Sequence, residues 1–428
     1  MFIFSNKNFL FMFLGRIVTN IGDTLYAVAA MWLVFELGGS TFYTGLAGFL
    51  TIIPRFVQFF AGPLIDRISI RPLLIVTQII QSIMLLIIPI AYFFDFLSVT
   101  LILIISPIIT TFNMLVYPAQ VATLPKIVEE KELTKANSLF TFAYQGIETA
   151  CNAIAGVLLV TIGAISIYLL DSIMFLIGAL LFSFIKLPMQ TKKVKKTYSE
   201  SSILCHLKQY KIELKEGISI LLNKTFSRLL IGIMAINFVG GATFVVLPDF
   251  SKHQGGAEIF GYLLMAQALG SIMGALLAPY IKLQRYGIGK VYAMAFIISG
   301  ILWTISVFSP WTWLMIIIYA LAWFPGGVTN ILINTFMQRG IPKHLLGRVF
   351  SASFSLSGIA MPLGSLIGGA LGVIIGSVYV ILCSGIVIFL VGVFWSIDKV
   401  TRTLPKLEEV TETTFISEVL ARKLSNQK

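Results

Sequence analysis

NMLVYPAQVATLPK, Asn113 to Lys126, aligns without a gap to NILINTFMQRGIPK, Asn330 to Lys343. Asparagine, leucine, proline and lysine coincide, Asn113 falling on Asn330 and Pro125 on Pro342. At nearly the same offset Gly45 and Pro63 fall on Gly261 and Pro279. The chain therefore reads as two copies of one unit in the same direction, and each repeated stretch continues an apolar run.

Working outward, windows of about 20 apolar residues, the length that crosses a bilayer as a helix, recur twelve times. The first six lie near Phe9–Leu37, Tyr43–Leu64, Pro72–Phe94, Val99–Tyr117, Leu139–Ile162 and Ala164–Leu187. The second six lie near Leu229–Leu247, Phe260–Ile281, Val291–Phe308, Trp311–Thr335, Val349–Val373 and Ser377–Ile397. Charged residues make up only 12% of the chain, about half the share of a soluble protein, so a soluble fold is excluded. The fold class expected is an all-α membrane protein: twelve transmembrane helices in two six-helix pseudo-symmetric halves, a transporter architecture. The start, MFIFSNKNFLFMFLGRIVTNIG, reads as the first span and not as a signal peptide, because Arg16 interrupts its apolar run and no small-residue cleavage site follows.

The net charge of +12 follows from orientation. Of 31 Lys and Arg, Arg16 and Arg55 fall within spans, Lys186 at the inner edge of the sixth and Lys252 in the loop after the seventh; the other 27 lie at the termini or in the even-numbered loops, on the same side as Lys186. By the positive-inside rule both termini are expected in the cytoplasm of a multi-pass cell-membrane protein. The domains expected are an N-terminal six-helix half (1–187), a basic cytoplasmic linker (188–228), a C-terminal six-helix half (229–398) and a cytoplasmic tail (399–428). In the linker, Leu207, Tyr210, Leu214, Ile218 and Leu221 recur at helical spacing, which fits an amphipathic helix on anionic lipid or a solvated connector.

Several chemistries are excluded. Three cysteines and three loop histidines support neither a disulfide framework nor a metal site. No glycine-rich loop ends in Gly-Lys-Ser/Thr, so ATP is not the direct energy source. No cofactor and no enzymatic reaction are expected.

Ionisable residues inside spans carry the functional reading, because they are costly there and face the bundle interior or a watery cavity. Arg16, Asn20 and Asp23 share one face of the first span, and Arg55 lies halfway along the second. On the fifth, Thr141, Gln145, Glu148 and Asn152 form a polar stripe. Poor solvation favours a protonated carboxyl and a nearby arginine favours the carboxylate, so a cavity that opens alternately to each side can load and unload a proton. Glu148 and then Asp23 are the candidates, with Arg16 and Arg55 as partners. A structural ion pair for Asp23 and a neutral, helix-locking carboxyl for Glu148 stay open beside this, and Asp171 reads as structural. Cavity candidates are Asn20, Gln145, Asn152, Asn113, Tyr117, Gln120, Asn237, Asn330 and Asn334. Pro325, Gly326 and Gly327 are expected to kink or unwind the tenth span, and Gly364, Gly368, Gly372 and Gly376, with Gly270 and Gly274 in the eighth, to form flat contact faces.

Between the second and third spans lies AGPLIDRISIRPLL, in which Gly62 permits a tight exit and Asp66, Arg67 and Arg71 sit on the cytoplasmic side. Such a loop can be a releasable latch between halves or plain positive-inside anchoring. It resembles the loop signature of the major facilitator superfamily, with Ser69 and Ile70 in place of an inner Gly and Arg. The resemblance implies a latch role for Gly62, Asp66, Arg67 and Arg71; Lys282 stands where the second half would carry the matching acid. RIVTNIGDTLYAVAAMWLVFELGGS, IIPRFVQFFAGPLIDR, YPAQVATLPKIVEEKELTKANSL and QRGIPKHLLGRVFS resemble the branch of macrolide and enterobactin exporters. That implies efflux of an amphiphile against protons, although the branch's paired glycines with proline in the fifth span are reduced here to Gly156. The expected partners are a small amphiphilic substrate, protons and lipid, with no nucleic acid, and the protein is expected to be a monomer. A siderophore exporter, a downhill facilitator or importer, and a non-transporting sensor are the alternatives.

Overall fold

The computed structural model describes residues 2–52, 54, 70–129, 132, 136, 139–140, 142–186, 224–278, 280–281, 286–341, 343–406 and 408–410. The protein is an all-α membrane protein; among the described residues the sole β pairing is one bridge between Gly287 and Lys406. The helices are α1 (Lys7–Gly38), α2 (Thr41–Leu50), α3 (Ile70–Phe93), α4 (Val99–Ile127), α5 (Ile147–Ser183), α6 (Lys224–Gln254), α7 (Ala257–Leu277), α8 (Ile288–Val307), α9 (Thr312–Gly340), α10 (Lys343–Ile375), α11 (Ser377–Ile397) and the short α12 (Lys399–Arg402). Nine described helices are long and apolar enough to span a bilayer, and Val99–Met114 is a shorter apolar one. One of the nine holds two expected spans, because α5 bends at Gly163. Each of the twelve expected spans therefore has described helix within it.

Local chemistry fixes the ends. Asn6 caps α1 by accepting the N–H groups of Asn8 and Phe9, and Gly39 closes it in the left-handed region at φ 61°. Ser40 and Ser98 cap α2 and α4 in the same way as Asn6. At Gly163, φ 78° and ψ 160° turn the chain back in a conformation that side chains disfavour. This single residue makes the turn between the fifth and sixth spans.

The chain forms two compact units. The first comprises Met1–Lys196 with Pro248–Met265. Its core is α1 against the arm of α5 beyond Gly163. A Cβ on Gly15 would strike the Phe182 ring at 2.3 Å, and one on Gly178 would strike the Thr19 methyl at 2.4 Å, so the small residues set how closely the helices approach. Phe9, Met12, Leu74, Phe140 and Phe182 close the end of the unit near the start of α1, each 1% exposed or less. Asn8 exchanges two hydrogen bonds with the backbone of Lys186. α3 is tied to α5 by Ser82 and Ser172, each hydroxyl donating to the other residue's carbonyl. Gly156 and Gly261 meet backbone to backbone: a Cβ on Gly156 would lie 1.9 Å from the Gly261 Cα. Trp32 and Phe260 pack with ring centroids 5.4 Å apart. Lys252, expected in a loop, lies in the last turn of α6 with its ammonium 5.9 Å from the Phe35 ring, where a cation also complements the helix dipole.

The second unit comprises Thr197–Leu247 with Ala266–Lys428. Glycines do close packing here, but Gly376, expected on the same face as Gly364 and Gly368, instead makes the turn between α10 and α11 at φ 88° with nothing within 4 Å of where its Cβ would stand. Gly364 and Gly368 sit against Phe238 and Ala242 of α6, and Gly270 and Gly274 against Ala320 and Phe324 of α9. The Pro325–Gly326–Gly327 stretch corrects an expectation of local unwinding: α9 runs through it. Gly327 instead lets α7 approach, since its Cβ would lie 2.0 Å from the Ser271 carbonyl oxygen. At the end of α11, Asp398 pairs with Arg228 at 2.9 Å and caps α12 through Thr401. Burial acts against its charge, but the Thr401 hydrogen bonds and Arg228 outweigh it and hold the carboxyl below its usual value of 3.8.

Candidate functional site

The first unit places a guanidinium almost entirely out of solvent: Arg16 is 1% exposed. A buried charge needs hydrogen bonds and counter-charge, and the sequence supplies both within two turns. Asn20, one turn on, accepts from Arg16 Nη2 at 3.0 Å. Its amide nitrogen then donates to the carbonyls of Ala143 at 3.1 Å and Tyr144 at 2.7 Å. The Tyr144 ring lies beneath the guanidinium at 4.6 Å, a cation–π contact of the kind that strengthens on desolvation.

These two carbonyls are available because Phe142–Gly146 is a turn of π-helix leading into α5. A π turn shifts the register of the backbone ladder and marks functional positions. Within a membrane any carbonyl freed this way must find another donor, and Asn20 is that donor. The expected polar stripe through Thr141, Gln145, Glu148 and Asn152 crosses this turn; Thr141 and the Gln145 side chain lie outside the described residues, and Glu148 and Asn152 lie on α5 beyond it.

Both candidate acids lie within reach of the arginine. Asp23 feels the charges of Arg16 and Glu148, and the Asn113 side chain of α4 acts on its carboxyl. Glu148, in the first turn of α5, has an exposed side chain yet feels the charge of Arg16. The charge of Arg16 acts on both carboxyls, and the guanidinium donates its hydrogen bond to Asn20.

The remaining sequence candidates divide. Asn113 joins the node through Asp23. Asn20 is committed to the π turn, so in this structure it joins helices and does not offer a free amide to a cavity. Gln120 is fully buried, and neither of its amide atoms has a partner among the described residues. In the second unit Asn237 donates to the Ile233 carbonyl of its own helix at 3.0 Å, while Asn330 is exposed. Asn152 is half-buried on α5. Arg71 donates to the Ser183 carbonyl at the end of α5, a helix-end contact inside the first unit. Arg55, Gly62, Asp66, Arg67 and Lys282, the linker helix, and the side chains of Tyr117, Gln145 and Asn334 lie outside the described residues. Sequence reasoning missed Tyr144; an aromatic four residues before Glu148, opposite an intramembrane arginine, was the available signal.

Comparison with known proteins decides the family. The model of the Major Facilitator Superfamily matches residues 12–361 and 229–425. The chain belongs to this superfamily. It is 22% identical over 410 residues to the multidrug efflux pump Tap of Mycolicibacterium fortuitum, covering 94% of this chain and 96% of that protein. It is 26% identical over 415 residues to the staphyloferrin A transporter of Staphylococcus aureus (strain NCTC 8325 / PS 47), covering 93% and 98%. Among solved structures, an inward-facing, unoccupied bacterial homologue of the human lysosomal transporter Spinster superimposes with a TM-score of 0.67 at 13% identity, covering 96% of this chain and 97% of that one. The major facilitator protein described here is thus a multi-pass membrane transporter and not an enzyme.

Proposed function

We propose that this transporter exports an amphiphilic small molecule, of macrolide-like size and polarity, from the cytoplasm across the cell membrane in exchange for protons. The observation that carries the reading is the node of Arg16, Asn20, Asp23 and Glu148, in which two acids compete for one buried guanidinium. Alternating access supplies the rest. A proton taken up from outside neutralises Glu148 and frees Arg16 for Asp23; reopening to the cytoplasm lets the proton leave. Moving one charge down 100 mV supplies about 2.3 kcal/mol, which sustains a substrate gradient of about fifty-fold. Asn113, Asn152, Asn237 and Asn330 line the route of a neutral or weakly basic cargo, with Asn152, half-buried on α5, contributing from the first unit. Asp66, Arg67 and Arg71 serve as the cytoplasmic latch, and both termini face the cytoplasm. Similarity to an efflux pump over nearly the full length of both chains supports the outward direction.

A siderophore is the second reading for the cargo, favoured by similarity to the staphyloferrin A transporter over 98% of that protein.

The test is accumulation of a fluorescent macrolide conjugate in cells expressing the protein, with and without a protonophore. Expression lowers accumulation, the protonophore restores it, and Glu148→Gln behaves as the protonophore does. Efflux by Glu148→Gln at the parental rate and with parental protonophore sensitivity would overturn the assignment of coupling to Glu148. Indifference of the parent to the protonophore would overturn coupling to protons.

A further inference from the structure

Asp171 lies on α5 eight residues beyond Gly163, about 12 Å along the helix from that turn, and is 0% exposed. Neither carboxyl oxygen has a hydrogen-bond partner among the described residues. One of them, Oδ1, lies 3.7 Å from where a Cβ on Gly22 would stand, so the carboxyl is pressed into the contact between α1 and α5, beside the residue that precedes Asp23. The hydroxyl of Tyr168, one turn back on the same face, is buried and also lacks a partner among the described residues. Tyr26 of α1 stacks edge-on against Tyr168 with centroids 5.6 Å apart. On the α3 side the described buried polar groups are amides and hydroxyls: Ser82 is engaged with Ser172, Gln78 donates to Gln81, and the Gln78 carbonyl oxygen is unpartnered among the described residues.

The titratable groups acting here are Asp23 and Tyr26 from α1 and Tyr168 from the same helix as Asp171. The one formal charge among them is of the same sign as an ionised Asp171, while the described cation, Arg16, is taken up by Asn20, Asp23 and Glu148. A carboxylate without donor or counter-cation is not tolerated in an apolar interior, and the Ser82–Ser172 bonds already lock α3 to α5 without it. A glycine, not a larger side chain, faces the group and leaves it a route toward Asp23.

The geometry points to Asp171 as a second proton-holding acid of the first unit, passing its proton between the end of the bundle marked by Gly163 and Asp23. The use of that proton rests on the proton-coupled reading above; its presence does not. In the transfer the Asp171 O–H breaks as an O–H forms on Asp23, with the Tyr26 and Tyr168 hydroxyls as bridging donors and acceptors.

Infrared difference spectroscopy on purified, lipid-reconstituted protein tests this without any substrate. The parent should show a protonated-carboxyl carbonyl band at neutral pH that Asp171→Asn removes and that bleaches reversibly at alkaline pH. Asp171→Glu should shift the band and not abolish it, which keeps the test decisive if the asparagine variant does not accumulate. A band unchanged by both substitutions would overturn the proposal, as would an Asp171 band that no pH bleaches, the mark of an acid buried for packing alone. Loss of the band on replacing choline chloride by sodium chloride at constant pH would also overturn it, because the group would then be an alkali-cation ligand. Proton-driven efflux should fall at least ten-fold in Asp171→Asn. Failure of the coupled reading itself is scored separately, by Glu148→Gln and the protonophore.

Discussion

Replacing Asn20 by alanine removes three hydrogen bonds at once: two donated to π-turn carbonyls and one accepted from Arg16. A neutral hydrogen bond contributes about 1 kcal/mol net in soluble proteins and about 0.6 kcal/mol on average within a membrane bundle. The Arg16 bond is charge-assisted and buried, a class contributing about 1.5–3 kcal/mol, and its loss leaves the guanidinium short of a partner. The substitution should therefore destabilise the first unit by about 3 kcal/mol. At about 2–4 °C per kcal/mol for a unit of this size, thermal unfolding in detergent, followed by tryptophan fluorescence, should shift downward by about 6–12 °C. Thr24→Val, which removes only a hydroxyl bonded to the Asn20 carbonyl at 2.9 Å within the same helix, is the control and should shift it by little. The π turn would also be free to relax into ordinary α-helix, and one residue of register rotates α5 by about 100° relative to the residues before Phe142. Glu148 would then swing away from Arg16, so Asn20→Ala should lose proton-driven efflux even in the fraction that stays folded. Parental melting together with parental efflux would refute the reasoning, since no route remains by which Asn20 could matter.

Two adjacent glycines in α9 should respond with opposite signs. Gly327→Ala drives a Cβ to 2.0 Å from the Ser271 carbonyl oxygen and should cost about 1–3 kcal/mol, whereas Gly326→Ala meets nothing within 4 Å and should stabilise by about 0.5–1 kcal/mol; melting of the two variants side by side checks this. Gly364→Val, whose Cβ would lie 1.8 Å from the Phe238 carbonyl oxygen, should separate α10 from α6 and sharply reduce the folded yield on size exclusion. The Asp398 carboxyl, held below 3.8 by Thr401 and Arg228, contributes stability above pH 3.8 that fades as the pH falls through its lower folded value. The contribution is about 0.5 kcal/mol for so exposed a pair, and Asp398→Asn should remove that acid-side fall from a melting series between pH 5 and pH 3.

Much of this architecture was legible in the amino-acid sequence. The repeat of Asn113–Lys126 at Asn330–Lys343 and the one-sided placement of basic residues are long-range patterns, and they do not depend on how any single turn is wound. Asp23 and Arg16 were legible for a related reason, as each is too costly in hydrocarbon to be incidental. What the sequence concealed is local. An ideal helical wheel ran through Phe142–Gly146, because nothing in FAYQG announces a π turn; the amide that meets its carbonyls, that of Asn20, lies more than a hundred residues away. Asn20 was likewise assigned to the cavity when its hydrogen bonds go to neighbouring backbone. The run at Pro325–Gly327 suggested unwinding because proline and glycine weaken a helix in isolation, whereas here packing of α7 against Gly327 holds α9 continuous. Asp171 reads as structural from the sequence, and its oxygens, unpartnered among the described residues, on which the proposal above rests, are visible only once the neighbouring helices are in place.

The first unit takes in Pro248–Met265, a stretch that lies beyond the linker in the chain. Cutting the protein at the linker would accordingly strip the N-terminal fragment of Phe260 and Gly261, leaving Trp32 and Gly156 bare. Two separately expressed fragments should each be poorly behaved, yet recover together when made in the same cell. For biosynthesis, the opening spans cannot finish folding until the ribosome has delivered the eighth.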